Sequence, residues 1–235
     1  MTTFANWERV ATDQGSGLEA YVVRGSTADG RAIVLLQEIF GINEALRDTA
    51  EMIAAEGYLV AVPDLFWRMQ PRVDLGYDKE QVKIAFSYSE RFDERLALQD
   101  IAATARHARM TSSAKLVHLL GFCLGGKLAV LGAEDAHVAS AISLYGVGIE
   151  RHLSALTHAR CPLQLHFAGK DRFVPSSAVA AIEQAAGGRD IEIHVYPDAG
   201  HGFFARKRPG YQPGAAHAAW ARAREFMQRA STRSF

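Results

Sequence analysis

The strongest constraint on how this chain can fold is the spacing of its apolar runs. Seven short β-branched or apolar segments recur: "EAYVVRG", "RAIVLLQEIF", "YLVAVPDLF", "KLVHLLGF", "HVASAISLYG", "CPLQLHFAG" and "IEIHVYPDAG". Stretches with helical spacing separate most of them, over residues 43–56, 79–109, from 124 onward, and 176–186, and a final Ala-rich stretch covers 214–230. A continuous apolar strand such as "KLVHLLGF" is expected where both faces of a parallel sheet are covered. Strand–helix alternation of this kind predicts an α/β fold: a doubly wound, mostly parallel sheet with helices on both faces. In such sheets, sites form beyond the carboxyl ends of the strands.

The 235 residues contain no internal repeat, low-complexity segment or long Pro/Gly/Ser linker, so a single domain over 1–235 is expected. Lys plus Arg and Asp plus Glu both number 26, which gives no general reason to expect nucleic acid or an anionic membrane as partner. The start, "MTTFANWERVATDQGSG", lacks a basic region followed by an apolar one, so no secretory signal is read there. No apolar stretch approaches the roughly 18–20 residues of a membrane span. Two cysteines, Cys123 and Cys161, make no disulfide framework and no zinc-ligand cluster. The expectation is a reducing, cytoplasmic compartment in which a cysteine stays a thiol.

One thiol sits at a junction rich in glycine. Gly121-Phe122-Cys123-Leu124-Gly125 has the spacing of a nucleophile elbow between a strand and a helix. The flanking glycines let strand and helix approach around a strained nucleophile. The same turn puts Cys123 at a helix N-terminus, which favours an anion, and makes the Leu124 N–H a candidate oxyanion donor. The competing reading is an inert buried cysteine. An acid and then a histidine should follow on later strand ends. "LHFAGKDRFVP" supplies Asp171 and "VYPDAGHGFF" supplies His201, each just past a strand in a Gly-containing turn. Asp198 reads as a turn residue, His118, His166 and His194 as structural histidines within strands, and Cys161 as a packing residue.

At these residues the chain resembles the dienelactone hydrolase family of α/β-hydrolases. The motifs "QEIFGIN", "VPDLFWR", "GFCLGGKLAV", "LYGVG", "GKDRFVP" and "AGHGFFAR" carry the resemblance over nearly the whole chain. The resemblance implies an α/β-hydrolase fold and carboxymethylenebutenolidase activity, the opening of dienelactone or its chloro derivatives to maleylacetates in aromatic and chloroaromatic catabolism. It implies no metal and no organic cofactor. The expected partner is a small lactone or ester bearing a carboxylate, acted on by a monomer or small homo-oligomer. Cys123, Asp171 and His201 match the family's triad, Glu38 a carboxylate that helps to activate the thiol, and the Ile39 N–H a second oxyanion donor. Among basic residues that would hold the substrate carboxylate, Arg206 matches one, at a spacing from His201 one residue longer than usual. For the other, on the helical region before the elbow, Lys83 and Tyr88 are candidates. Phe40, Trp67, Phe204 and Tyr145 are expected to line the substrate pocket, with Arg68 at its border.

A thiolate attacks well and also leaves well, so cysteine at the elbow favours activated esters, lactones or thioesters over peptides. The alternative enzyme reading is a broader carboxylesterase or thioesterase on the same scaffold.

Overall fold

In a computed structural model, which describes residues 2–13, 15, 17–26, 30–112, 114, 117–135 and 137–232, the chain forms two compact units, Met1–Val117 and His118–Phe235. The first unit carries β1 (Thr3–Arg9), β2 (Glu19–Gly25), β3 (Arg31–Leu36) and β4 (Tyr58–Pro63) in the order β1-β2-β4-β3. β3 and β4 run parallel, with Arg31 opposite Tyr58 and Val34 opposite Ala61. β2 is antiparallel to both β4 and β1. Every residue of β4 is buried, as a strand covered on both faces must be. Helices α1 (Glu44–Ala54) and α3 (Glu94–Ser112) both pack on it.

α1 begins where the Asn43 side chain accepts the Leu46 N–H at 3.1 Å, as a capping residue does. Its far end crosses β2 so closely that a Cβ on Gly25 would collide with the Ala54 carbonyl oxygen. The long helical stretch expected over 79–109 is two helices, α2 (Lys79–Glu90) and α3. Asp93 accepts the Leu96 N–H at 3.0 Å and restarts the helix, a capping signal that the continuous charged pattern hides.

β1 was not among the expected strands, because "TFANWER" carries no apolar alternation and is largely exposed. Its cross-strand contacts hold it: Trp7 packs edge-on against Tyr21, and Glu8 takes an ion pair from Arg24 at 2.5 Å. His107 of α3 reaches the other Glu8 oxygen at 2.8 Å. The Arg24 hydrogen bond chiefly holds the Glu8 carboxyl down, to a pKa of about 2.

The second unit carries β5 (Val117–Phe122), β6 (Val138–Leu144), β7 (Leu163–Ala168) and β8 (Ile191–Tyr196) in the order β5-β6-β7-β8. Two residues of the expected strand, Lys115 and Leu116, lie outside the described residues. β6, β7 and β8 are parallel, with His166 opposite His194 and Ala168 opposite Tyr196. Helices α4 (Leu124–Gly132) and α7 (Pro213–Ser231) pack on β6, and α7 also on β7. Between β6 and β7 come a short 3₁₀ turn, Ile149–Arg151, and α5 (Leu153–His158), both too short to show a periodic pattern in sequence. α6 (Ser176–Ala186) joins β7 to β8 over the range expected for it. Among the described residues no helix is long and apolar enough to cross a membrane.

Candidate active site

The second unit brings Cys123, Asp171 and His201 to the carboxyl ends of three of its strands. Cys123 follows β5 at φ 54 and ψ −112 and opens α4. A positive φ is costly for any residue with a Cβ, on the order of 1–3 kcal/mol, so the surroundings must impose it. They do so through the backbone. The Cys123 N–H donates to Leu144 O at 3.0 Å, and its carbonyl accepts from Gly126, Lys127 and Val147 at 3.1–3.3 Å. A Cβ on Gly121 would strike the Gly125 carbonyl oxygen, and one on Gly126 would lie 2.8 Å from the Gly146 Cα. Those glycines therefore exist for close approach. Leu124 is the first residue of α4, whose N–H has no acceptor within the helix.

Asp171 stands three residues past β7, its carboxylate fully enclosed. Oδ1 accepts N–H bonds from Phe173 at 2.8 Å and Val174 at 3.3 Å. Oδ2 meets His201 Nδ1 at 2.7 Å. A carboxylate there fixes the imidazole with a proton on Nδ1 and turns Nε2 away from it. The His201 ring is held edge-on by Phe173 at 4.8 Å and by Tyr145 at 5.0 Å between centroids. Burial alone would push the imidazole pKa down. Hydrogen bonds to Asp171 and Cys123, and negative charge on both, override burial and raise it to about 9.

The loops carrying Asp171 and His201 are laced together. Gly169 donates to Tyr196 O at 2.8 Å, and Lys170 to Ala199 O at 2.8 Å. Asp198 is an exposed turn residue paired with Lys170 at 2.9 Å. His118, His166 and His194 lie within β5, β7 and β8, as expected, and Cys161 is buried.

Of the residues expected to line a pocket, Tyr145, Phe204 and Arg206 belong to the second unit and Phe40 and Trp67 to the first. Phe204 is buried against Phe122, at 5.2 Å between ring centroids, and Tyr145 packs on His201 from a left-handed φ of 42. Arg206 is exposed, whereas the Arg208 guanidinium lies against Gly202, where an added Cβ would sit 2.6 Å from Arg208 Cζ. Sequence reading singled out neither Phe173, two residues past Asp171, nor Arg208, seven past His201; that nearness in the chain was the available signal. In the first unit Glu38, Ile39 and Phe40 follow β3 and are buried. Gln37 accepts the Leu65 N–H at 3.2 Å and so ties that segment to the one after β4. Phe40 packs edge-on against Tyr77 at 4.8 Å. Trp67 packs on Gly17 and donates to Asp100 at 3.1 Å, and Arg68 holds the same carboxylate at both oxygens. Lys83 and Tyr88 both lie on α2, where Lys83 pairs with Glu80 at 2.8 Å and Tyr88 stacks on Phe66. Among the described residues no group of three or more His, Cys, Asp or Glu side chains could hold a metal ion.

A nucleophile on a strand–helix elbow, followed in chain order by an acid and a histidine on later strand ends, defines the α/β-hydrolase class. The model of the dienelactone hydrolase family matches residues 18–231, and the chain belongs to that family, whose members act on lactone or ester bonds. A carboxymethylenebutenolidase from Pseudomonas putida is 34% identical over 216 residues, covering 91% of this chain and 92% of the relative. Carboxymethylenebutenolidase 1 of Cupriavidus pinatubonensis is 30% identical, covering 93% and 94%. The crystal structure of a candidate dienelactone hydrolase from Klebsiella pneumoniae superposes with a TM-score of 0.87 at 25% identity, over 97% of this chain and all of the other.

Proposed function

We propose that the chain opens the ring of dienelactone or a chlorinated relative to the corresponding maleylacetate, with Cys123 as nucleophile, His201 as general base and acid, and Asp171 as the residue that orients it. The observation that carries the reading is the Asp171–His201 contact at 2.7 Å, with the histidine raised to about 9 beside Cys123 on its strained turn. The Cys123 sulfur attacks the lactone carbonyl, and the ring oxygen leaves as an enolate that takes a proton from His201. The N–H groups of Leu124 and Ile39 are the proposed oxyanion donors, each worth about 3–4 kcal/mol in comparable sites. His201 then draws a proton from water, whose oxygen attacks the thioester; the C–S bond breaks, the sulfur leaves as a thiolate beside the protonated His201, and the product is the carboxylic acid. Glu38 is proposed to exchange a proton with that thiol on substrate binding, and Arg206 to hold the substrate carboxylate. The family resemblance supports a cytoplasmic place in aromatic catabolism.

Purified protein should convert dienelactone to maleylacetate with a kcat/KM well above that for a neutral p-nitrophenyl ester. Turnover of neutral esters or acyl thioesters with none on dienelactone would replace this reading by a broader esterase.

A further inference from the structure

We infer that Tyr196 and His166 form a positioning pair that holds the Asp171 and His201 loops in register. The inference rests on the triad proposed above. Tyr196 ends β8 and is buried. Its carbonyl oxygen accepts two N–H bonds, from Gly169 at 2.8 Å and Ala199 at 3.1 Å. The first begins the turn to Asp171 and the second the turn to His201. One carbonyl therefore sets the spacing between acid and base. A Cβ on Gly169 would lie 2.6 Å from Pro197 O, so the two segments are in close contact there.

The side chain of Tyr196 is fixed from both directions by groups with only one way to bond. Arg222 donates to the phenol oxygen at 3.0 Å and can do nothing but donate. The phenol proton is thereby left for His166 Nδ1, 2.9 Å away. From the other end, Arg229 at 2.6 Å and Gln164 at 2.8 Å both meet the Glu192 carboxylate, which can only accept. Gln164 must present its NH₂ to Glu192 and hence its carbonyl oxygen to His166 Nε2, at 3.0 Å. The chain of donors closes only on a neutral His166 with its proton on Nε2. His194 stands beside it at 5.2 Å between ring centroids, and His166 itself is fully buried.

His166 reaches the site by a second route. Its carbonyl accepts the Tyr145 N–H at 2.7 Å, and the Tyr145 ring rests on His201. Tyr196 also packs on Phe203 at 5.1 Å, and Phe203 on Tyr145 at 5.3 Å. The pair thus supports the base from behind as well as from its loop.

Tyr196→Phe removes one oxygen and keeps the ring. It should lower kcat about tenfold with KM within about twofold, because small displacements of a catalytic base cost that much. It should also move the alkaline limb of the kcat/KM profile to lower pH, as the Asp171–His201 contact loosens. His166→Leu should do the same, and the double variant should be little worse than either single one. His166→Asn keeps an acceptor for the phenol and should stay within about threefold of the parent. If Tyr196→Phe does not fold, the contrast between the Leu and Asn variants decides alone. Lowered Tm with unchanged kcat and pH limb would overturn the inference. Cys123→Ala, assayed beside them, separates the two readings. Turnover surviving in it would sink the triad and this inference together. An inactive Cys123→Ala with a wild-type profile in Tyr196→Phe, or in His166→Leu where the Phe variant does not fold, would sink this inference alone.

Discussion

The second unit holds two thiols at opposite ends of its strands, and they differ in every respect that governs reactivity. Cys123 follows the carboxyl end of β5, half-buried on a left-handed turn, with an imidazole beside it. Cys161 precedes the amino end of β7, buried, its S–H directed at Ala133 O at 3.8 Å. Burial chiefly, with Asp135 and Asp190 nearby, pushes its pKa up to about 12. Room for a ligand does not explain the difference. A cleft of about 370 Å³ adjoins Cys161, lined by Leu156, Arg160, Pro162 and Arg189 among others. What separates the two is a histidine bonded beside the sulfur together with partial exposure at Cys123, against burial at Cys161 with its S–H on a backbone carbonyl.

The sharpest way to break this contrast is to remove each sulfur in turn. Cys123→Ala should lower dienelactone turnover by about four orders of magnitude or more, as loss of a nucleophile does in comparable triads. Cys161→Ala should leave turnover within about twofold. Iodoacetamide at neutral pH should add a single adduct to the native protein, and mass spectrometry should place it on Cys123. Labelling at Cys161 with activity retained would reverse the assignment.

A second pair tests whether nearness to the histidine means contact with substrate. The Arg208 guanidinium lies against Gly202, beside His201, and Arg206 is exposed. Arg206→Ala should cut kcat/KM for dienelactone about ten- to a hundredfold, the worth of a charge-assisted contact of roughly 1.5–3 kcal/mol. A neutral ester should be hydrolysed as before. Arg208→Ala should slow both substrates by a similar, smaller factor, because it loosens the loop that carries His201. If only the Arg208 change discriminates between the substrates, Arg208 and not Arg206 is the carboxylate reader.

The parts of this arrangement legible in sequence are those with a local cause. The elbow glycines, the buried strands and the turns bearing Asp171 and His201 each carry a signal within a few residues. β1 is held by partners 16 and 99 residues away, Arg24 and His107, so its own seven residues say little. The break between α2 and α3 rests on one capping aspartate within a pattern that otherwise continues. His166 lies within a strand as expected, yet its partner Tyr196 comes from a neighbouring strand, and Arg222, which fixes the Tyr196 phenol, from a distant helix. No periodicity announces a contact of that kind.

The contrast between the two cysteines recurs in two buried histidines, with the smallest expected effect. His201 faces a carboxylate and is raised to about 9; His166 faces a phenol, an amide and a nearby guanidinium, and burial above all lowers it to about 3. The signs follow by linkage. His201 stabilises the fold fully below its ordinary value near 6.5, and that contribution is lost as pH rises through about 9. For His166 the unfolded chain takes up a proton below about 6.5 that the folded chain refuses until about 3, so stability falls as pH drops through that window. From pH 6.5 to 5 the loss from His166 is roughly 1.5 kcal/mol, its slope approaching about 1.4 kcal/mol per pH unit only below pH 6. Urea unfolding of the parent and of His166→Asn should therefore give curves of stability against pH that converge on the acid side and run parallel above pH 7. His201→Gln should instead flatten the alkaline side. Parallel curves for the parent and His166→Asn down to about pH 4 would mean that His166 is already charged in the folded protein, and that the donor chain through Tyr196 runs another way.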